Sequence, residues 1–243
     1  PLFRLLSSGG LGVADQVSAV EEIARLGGPE DHARLYNEDY EPALQAKVLT
    51  ALARPDEERK PRPNVDFKRL QNWLNHSDEG VRLAALRLAG VWKLEEFRDP
   101  LAKLAAAPET TLHFRAAAVA ALVDLGGKAS GDLLTQLTTP DHPLAIRLAA
   151  VTGLAELDVK LAASAAAQVL AAPLEGVDPA PLFHAFLGRK GGADALAVAL
   201  AAGALPPDNA KLGLRALQMA GSHYEGLAKV LSTAAGVNAE PKP

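Results

Sequence analysis

Cysteine is absent from this sequence, methionine occurs once, and aromatic residues make up only 5% of it. Without a thiol there is no disulfide, no thiolate metal site, no cysteine nucleophile and no covalent haem attachment within the segment. The β-branched and aromatic enrichment of strands is missing, and no stretch alternates apolar and polar residues for long, so almost no sheet is expected. Basic residues are outnumbered as well: 25 Lys and Arg stand against 29 Asp and Glu, a net charge of -4. A general nucleic-acid partner is not expected, because phosphates call for a basic surface. No apolar run approaches the roughly 18 residues that cross a bilayer, and the N-terminus lacks the charged, apolar and small-residue order of a signal peptide. The chain opens on Pro1 rather than methionine, which sets the expectation of a fragment or a processed product of a longer protein.

What the sequence does hold is alanine, in runs such as Ala105 to Ala107, Ala116 to Ala118 and Ala165 to Ala167, within a composition 49% hydrophobic. Alanine is the best helix former, and its small side chain lets helices approach closely. An internal period organises these helices. The segments Glu79 to Gly90, Leu112 to Val123 and Leu144 to Ala155 each place an apolar residue, then arginine, then a small and apolar helix. Their arginines, Arg82, Arg115 and Arg147, are 33 and 32 residues apart. Weaker copies align at Gln16, Gln45, His184 and Lys211, giving about seven unevenly spaced repeats of the kind that stack into solenoids. Shorter amphipathic segments lie between them, at Asp66 to Asn75, Phe97 to Ala106, Ser130 to Thr138, Leu161 to Ala171 and Asp194 to Ala201, each long enough for the second helix of a pair.

Turn chemistry falls between these segments. Ser77-Asp78, Pro108-Glu109, Pro140-Asp141, Asp178-Pro179 and Pro206-Pro207-Asp208 precede helices as caps or first-turn prolines. Gly27-Gly28, Gly126-Gly127, Gly191-Gly192 and Gly221 follow helices, where a left-handed position suits glycine. The charged, proline-bearing stretch Arg54 to Asn64 resists helix and lengthens one repeat step, Gln45 to Arg82, to 37 residues. It reads as an exposed loop, and insertions of this kind often sit on a binding face.

Tetratricopeptide and ankyrin signatures are absent, whereas the acidic turn followed by Val-Arg-x-x-Ala-x-x-Ala-Leu from Asp78 to Leu88 resembles HEAT repeats and their short bilin-lyase-like relatives. The resemblance spans most of the chain and implies an all-α superhelix, a HEAT/armadillo-like α-solenoid of about seven helix pairs over residues 1–237, with 238–243 opening a linker. It also implies that a turn aspartate and a helix arginine tie adjacent units, here Asp78 with Arg82 and Asp141 with Arg147.

No constellation of catalytic residues emerges. His32, His76, His113, His142, His184 and His223 fall in different repeats, and none has the spacing of a His-Glu-x-x-His metal site. His76 and His142 are placed in inter-helix turns, bonded to backbone or water. Ser7-Ser8-Gly9-Gly10 is a flexible connection rather than a nucleophile elbow. Gly188-Arg-Lys-Gly-Gly192 lacks the Walker pattern and reads as a helix end, with Arg189 and Lys190 at the negative pole of the dipole. Trp73 and Trp92 fall on apolar faces and are assigned to core packing. Tyr36 and Tyr40 bracket the acidic turn Asn37-Glu38-Asp39, a weak cation-binding pattern without the glycine and glutamate of a calcium loop. The sequence therefore offers no catalytic, cofactor-binding or metal-ligating residue.

A narrower resemblance covers residues 183–236. Phe186 to Leu200, Leu205 to Leu217 and Gly221 are similar to the region just before the C-terminal cytochrome c domain in large exported haem-binding proteins of planctomycete-type bacteria, which also carry a propeller related to sugar dehydrogenases. That resemblance implies a non-catalytic scaffold spacing a dehydrogenase-like domain from a cytochrome c domain in an exported, periplasmic redox protein. No cofactor is expected in this segment, haem c belonging to the parent protein, and the partners are protein or flanking domains. Two alternatives stand beside it: a free-standing protein- or peptide-binding adaptor, and a HEAT-fold enzyme of the DNA glycosylase or bilin lyase type. Acidic charge and scarce aromatics count against the glycosylase.

Overall fold

The structure, a computed structural model, describes residues 2–7, 10–54, 63–221 and 224–237. Most of the Arg54 to Asn64 loop, the centre of the Ser7 to Gly10 connection, His223 and the 238–243 tail lie outside the described residues. Among those described there are fifteen α-helices, one short 3₁₀ turn and no strand. The fold is an all-α, HEAT-like α-solenoid of paired helices, as the repeat spacing predicts.

The chain divides into two compact units, residues 1–101 and 102–243, and the division falls inside one helix. The first unit holds α1 (Leu2–Ser7), α2 (Val13–Leu26), α3 (Pro29–Asn37), α4 (Pro42–Leu52), α5 (Lys68–Leu74) and α6 (Glu79–Val91), followed by the start of α7 (Arg98–Ala106). Within it α2, α4 and α6 pack side by side, α3 rests on α2 and α4, and α5 rests on α6. The second unit holds α8 (Leu112–Leu125), α9 (Gly127–Gln136), α10 (Leu144–Leu157), α11 (Val159–Leu170), α12 (Ala180–Leu187), α13 (Gly192–Ala201), α14 (Pro207–Ala220) and α15 (Glu225–Ala235). There α8, α10, α12 and α14 form one row, while α11, α13 and α15 form the other. The even-numbered helices are those that carry the repeat position of Arg82, Arg115 and Arg147.

Local sequence explains these elements. Asp78 caps α6, its Oδ1 accepting the Val81 N–H at 3.0 Å, and Asp158 caps α11 by accepting from Lys160 and Leu161. Helix α6 is buried around much of its circumference, at Val81, Ala84, Ala85, Leu86, Leu88 and Ala89, as befits a helix with neighbours on more than one side. Small residues set the closest approaches. A Cβ on Gly213 of α14 would lie 2.7 Å from Phe183 Cζ of α12. Gly191 and Gly221 are left-handed, with φ of 74° and 67°, but Gly27 is extended and ends α2 without the left-handed turn expected of it. Gly191 also stands at the start of α13 rather than at the last residue of α12.

One interaction recurs at the helix ends. The last carbonyls of an α-helix have no intrahelical partner, and a side chain from a later element takes many of them here. Arg82 Nη1 donates to His76 O beyond α5 at 2.7 Å, Arg115 Nε to Ala105 O of α7 at 2.8 Å, and Arg147 Nε to Thr138 O beyond α9 at 3.0 Å. The repeat arginine thus binds the end of the preceding helix. Arg147 is not tied to Asp141, and Asp78 spends its carboxylate on the helix cap, so the expected aspartate–arginine ties give way to arginine–carbonyl bonds. Other residues serve the same purpose elsewhere. His32 reaches Ala24 O, Arg69 reaches Asn37 O, Trp92 reaches Leu52 O, Asn209 reaches both Leu170 O and Ala172 O, and Tyr224 reaches Leu187 O.

Arg115 is only 2% exposed, and its charge is held at the negative end of the α7 dipole. Its Nη2 also meets His142 Nδ1 at 3.3 Å, so the His142 ring has a side-chain partner that the sequence did not suggest. Burial, then the Arg115 charge, lowers the His142 pKa against the opposing pull of Asp141, keeping the ring neutral with a lone pair free to accept. Because the native state favours the uncharged imidazole, this contribution is complete above the ordinary histidine value of 6.5 and is lost as pH falls. Arg115→Met, which leaves a buried carbonyl without a donor, is expected to lower urea-unfolding stability by about 2–3 kcal/mol. The loss of stability on acidification below pH 6.5 should be shallower in the variant than in the parent; equal acid slopes would refute the coupling.

The first unit is further locked by an aromatic cluster. Tyr36 lies 4.9 Å from Trp73, 5.6 Å from Trp92 and 6.1 Å from Phe67, measured between ring centroids. Both tryptophans sit in this packing, and Tyr36 is fully buried. Burial pushes the Tyr36 phenol from 10 up to about 12. A raised pKa means that the protonated form is favoured in the folded state, so the contribution is complete below pH 10 and disappears as pH climbs towards 12. The expected outcome is an alkaline loss of stability across that window on the order of 2 kcal/mol larger in the parent than in Tyr36→Phe, when stability is followed by denaturant titration at successive alkaline pH values.

Candidate interaction groove

The second unit carries an open apolar groove of about 400 Å³ across α8, α10 and the start of α12. Its floor is built from small side chains: Ala116 and Ala120 from α8, and Ala145, Ala149 and Gly153 from α10, with Val119 and Leu148 beneath. The origin of the groove is compositional. Helices α8 and α10 carry apolar residues nearly all the way round, so that after Phe114, Ala118 and Leu122 of α8 and Ile146, Ala150 and Leu154 of α10 are buried, alanines remain on the side facing out. Ala116 and Ala120 are exposed, and Ala145 and Ala149 half-exposed. Gly153 brings α10 close to α8: a Cβ there would sit 2.4 Å from Val123 Cγ2.

One end of the groove is acidic. Asp124 and Glu156 stand one residue before the last of α8 and α10, and Asp178 lies in the turn ahead of α12. The first two add their charge to the negative poles of their own helices. Arg189 pairs with Glu156 at 3.3 Å, both about half exposed, and Asp178 Oδ1 accepts the Ala180 N–H at 3.0 Å. Asp124 and Glu156 share the C-terminal end of the groove with the Arg189 guanidinium, while Asp178 lines it from the N-terminal side of α12. The groove can bury a strip of small or medium apolar side chains and favours a positive charge at its acidic end. The signal for it in the sequence is the lack of a polar face on α8 and α10.

The residues weighed in the sequence are dispersed. Gly188 to Gly192 is the turn between α12 and α13, in which Arg189 pairs with Glu156 and a Cβ on Gly192 would lie 2.0 Å from Phe186 O. His76 is in the turn after α5, its Nδ1 accepting the Asp78 N–H at 3.0 Å. His32 is buried against Ala24 O, and the His113 ring edge meets Phe114. Tyr36 and Asn37 end α3 rather than bracketing a free turn; Glu38 pairs with Arg34 at 2.9 Å and accepts from Tyr40, while Asp39 pairs with Arg69. Among the described residues no three His, Asp or Glu side chains lie together in a metal-holding arrangement, and no helix is long and apolar enough to cross a membrane.

No curated protein sequence matches the chain. A family model for HEAT repeats matches residues 67–155, from the last residue before α5 to the last turn of α10, and so covers all three arginine-bearing repeats and the α8–α10 floor of the groove. HEAT repeats are generally non-catalytic helical scaffolds or interaction modules. The matched segment stops short of 183–236, and the cytochrome-associated resemblance has no support from it. The 32- to 33-residue arginine period, the helix pairs stacked in rows and this match together give an all-α fold of HEAT-like helical repeats, the family match itself being confined to residues 67–155.

Proposed function

We propose that the chain is a non-catalytic interaction module whose second unit docks an apolar segment of a protein partner in the α8–α10–α12 groove, with a basic residue of that segment at the acidic end. The observation that carries this reading is the alanine floor with the carboxylates of Asp124 and Glu156 at one end of it. An exposed apolar strip of this kind is a cost to a soluble surface unless something covers it, and small side chains admit a partner helix or strand closely. The partner is a flanking domain of the parent protein or a separate protein.

The test uses synthetic peptides with an alanine–leucine face and either lysine or glutamate at one end, titrated by fluorescence anisotropy. The lysine peptide is expected to bind at least about ten-fold more tightly than the glutamate peptide at low salt, a difference that shrinks as salt screens it. Ala149→Arg, which fills the floor and reverses its charge preference, should abolish binding of the lysine peptide. Equal binding of both peptides, or binding that survives Ala149→Arg, would sink the reading.

A narrower version rests on the likeness of residues 183–236 to the region ahead of a cytochrome c domain. In it the module spaces a dehydrogenase-like domain from a haem c domain in an exported, periplasmic protein, and supplies no cofactor ligand itself. The expected result for the full-length native protein is a c-type haem absorption spectrum and an intact mass that includes covalent haem. A colourless protein would reject this version and leave the adaptor reading standing.

A further inference from the structure

The first unit departs from its own repeat rule at Gln16 and Gln45, and of the two only Gln45 is buried. Gln45 of α4 occupies the place held by Arg82, Arg115 and Arg147 in later repeats. Each arginine reaches back to a carbonyl at the end of the preceding helix. A glutamine is shorter, and the corresponding carbonyl, Asn37 O at the end of α3, is taken instead by Arg69 Nη1 of α5 at 2.8 Å. The Gln45 side chain is left 4% exposed, and its Nε2 is a buried nitrogen with no hydrogen-bond partner. Buried donors are rarely left so.

Gln45 lines a polar cavity of about 430 Å³ together with Asp39, Tyr40, Arg69, Asn72, Trp73 and His76. Donors dominate its walls. His76 Nδ1 accepts the Asp78 N–H, so the neutral ring carries its proton on Nε2. Arg69 lies 5.3 Å from the Trp73 ring centre and offers its second nitrogen to Asp39. That carboxylate is 92% exposed, an acceptor that water can replace readily. Glu38, the other nearby acid, is held by Arg34 and Tyr40. Trp73 and Tyr40 supply apolar walls beside the donors.

We infer that this cavity is a binding site for a carboxylate with a short apolar body, the carboxylate replacing Asp39 on Arg69 and accepting from Gln45 Nε2. The displaced Asp39 carboxylate, already 92% exposed, turns out into water, and the incoming carboxylate takes its place on Arg69 while giving the buried amide its missing partner. The same chemistry is presented by a free aliphatic acid and by the C-terminus of a peptide. The site belongs to the first unit and is independent of the groove in the second.

The probes are 4-methylpentanoate, N-acetyl-Ala-Leu and N-acetyl-Ala-Leu-amide, titrated into the full chain with calorimetry and with amide-proton detection of the Gln45 side chain and the Trp73 indole. The acids are expected to shift both resonances saturably, and the amide to bind at least about ten-fold more weakly. A dipeptide that outbinds the free acid identifies a peptide terminus as the ligand, and the reverse identifies a small acid. Gln45→Met, which keeps length without a donor, should weaken the acids about ten-fold. Asp39→Asn, which removes the competitor at an exposed position, should tighten them several-fold, an effect that a merely structural Asp39 would not produce. No saturable response below about 10 mM, equal binding of acid and amide, or weaker binding by Asp39→Asn would overturn the assignment.

Discussion

The carbonyl groups at the ends of the helices are the constraint on which this structure turns. Alanine-rich helices pack closely but smoothly: a methyl group removes little area from water and leaves few ridges to fix one helix against the next. Burial of Ala162, Ala163, Ala165 and Ala166 holds α11 in place, yet it says little about how far α11 is displaced along its neighbours. A directional bond supplies that information. When Asn209 of α14 takes the carbonyls of Leu170 and Ala172 at 2.8 Å each, the end of α11 is fixed relative to the start of α14. Arg115 and Arg147 do the same for α7 and α9. The packing is permissive, and the caps choose among what it permits.

The same logic explains why the capping residue changes along the chain without the fold changing. What each site demands is a donor that reaches a carbonyl from the right side, and His32, Arg69, Trp92 and Tyr224 all meet that demand with different chemistry. Where two elements compete for one carbonyl, only one is needed. At Asn37 the guanidinium from α5 prevails, and Gln45 on α4 is released from the duty its repeat position carries elsewhere. A repeat protein can develop a local site in this manner, because a neighbour substitutes for the residue that drifts.

Much of the architecture was readable in the sequence, and for a physical reason. The arginine period is a property of consecutive residues, and Asp78, Pro207 and Gly221 mark helix boundaries through contacts made within four residues. The ties of the arginines were less readable, since Asp78 and Asp141 are as near in sequence as the carbonyls that in fact accept; the choice depends on where α5 and α9 end. Helices α3 and α15 fell outside the apolar rhythm, α3 because Glu30, Asp31, His32 and Arg34 disguise its short buried face of Leu35 and Tyr36. The groove was not legible as a site: Ala116, Ala145 and Pro181 meet only after three helices from separate repeats are stacked. Gln45 was visible as a weaker copy of the motif, but its meaning depends on Arg69, whose role appears only in the fold.

Alanine also links scaffold to surface. On α8 and α10 the buried and exposed sides have nearly the same composition, so the preference that normally turns an apolar helix inwards does not by itself say which side faces out. The polar residues decide. Arg115 is drawn to the α7 carbonyl and Arg147 to Thr138 O, which sets the rotation of each helix about its axis and with it the alanines left outside. On this argument the arginines that join the helix pairs also aim the groove: Ala116, Ala120, Ala145 and Ala149 face outward because the guanidiniums are tethered inward. A substitution at Arg115, whose side chain is buried away from the groove, would then reshape the groove through the rotation of α8 without altering a single residue that lines it.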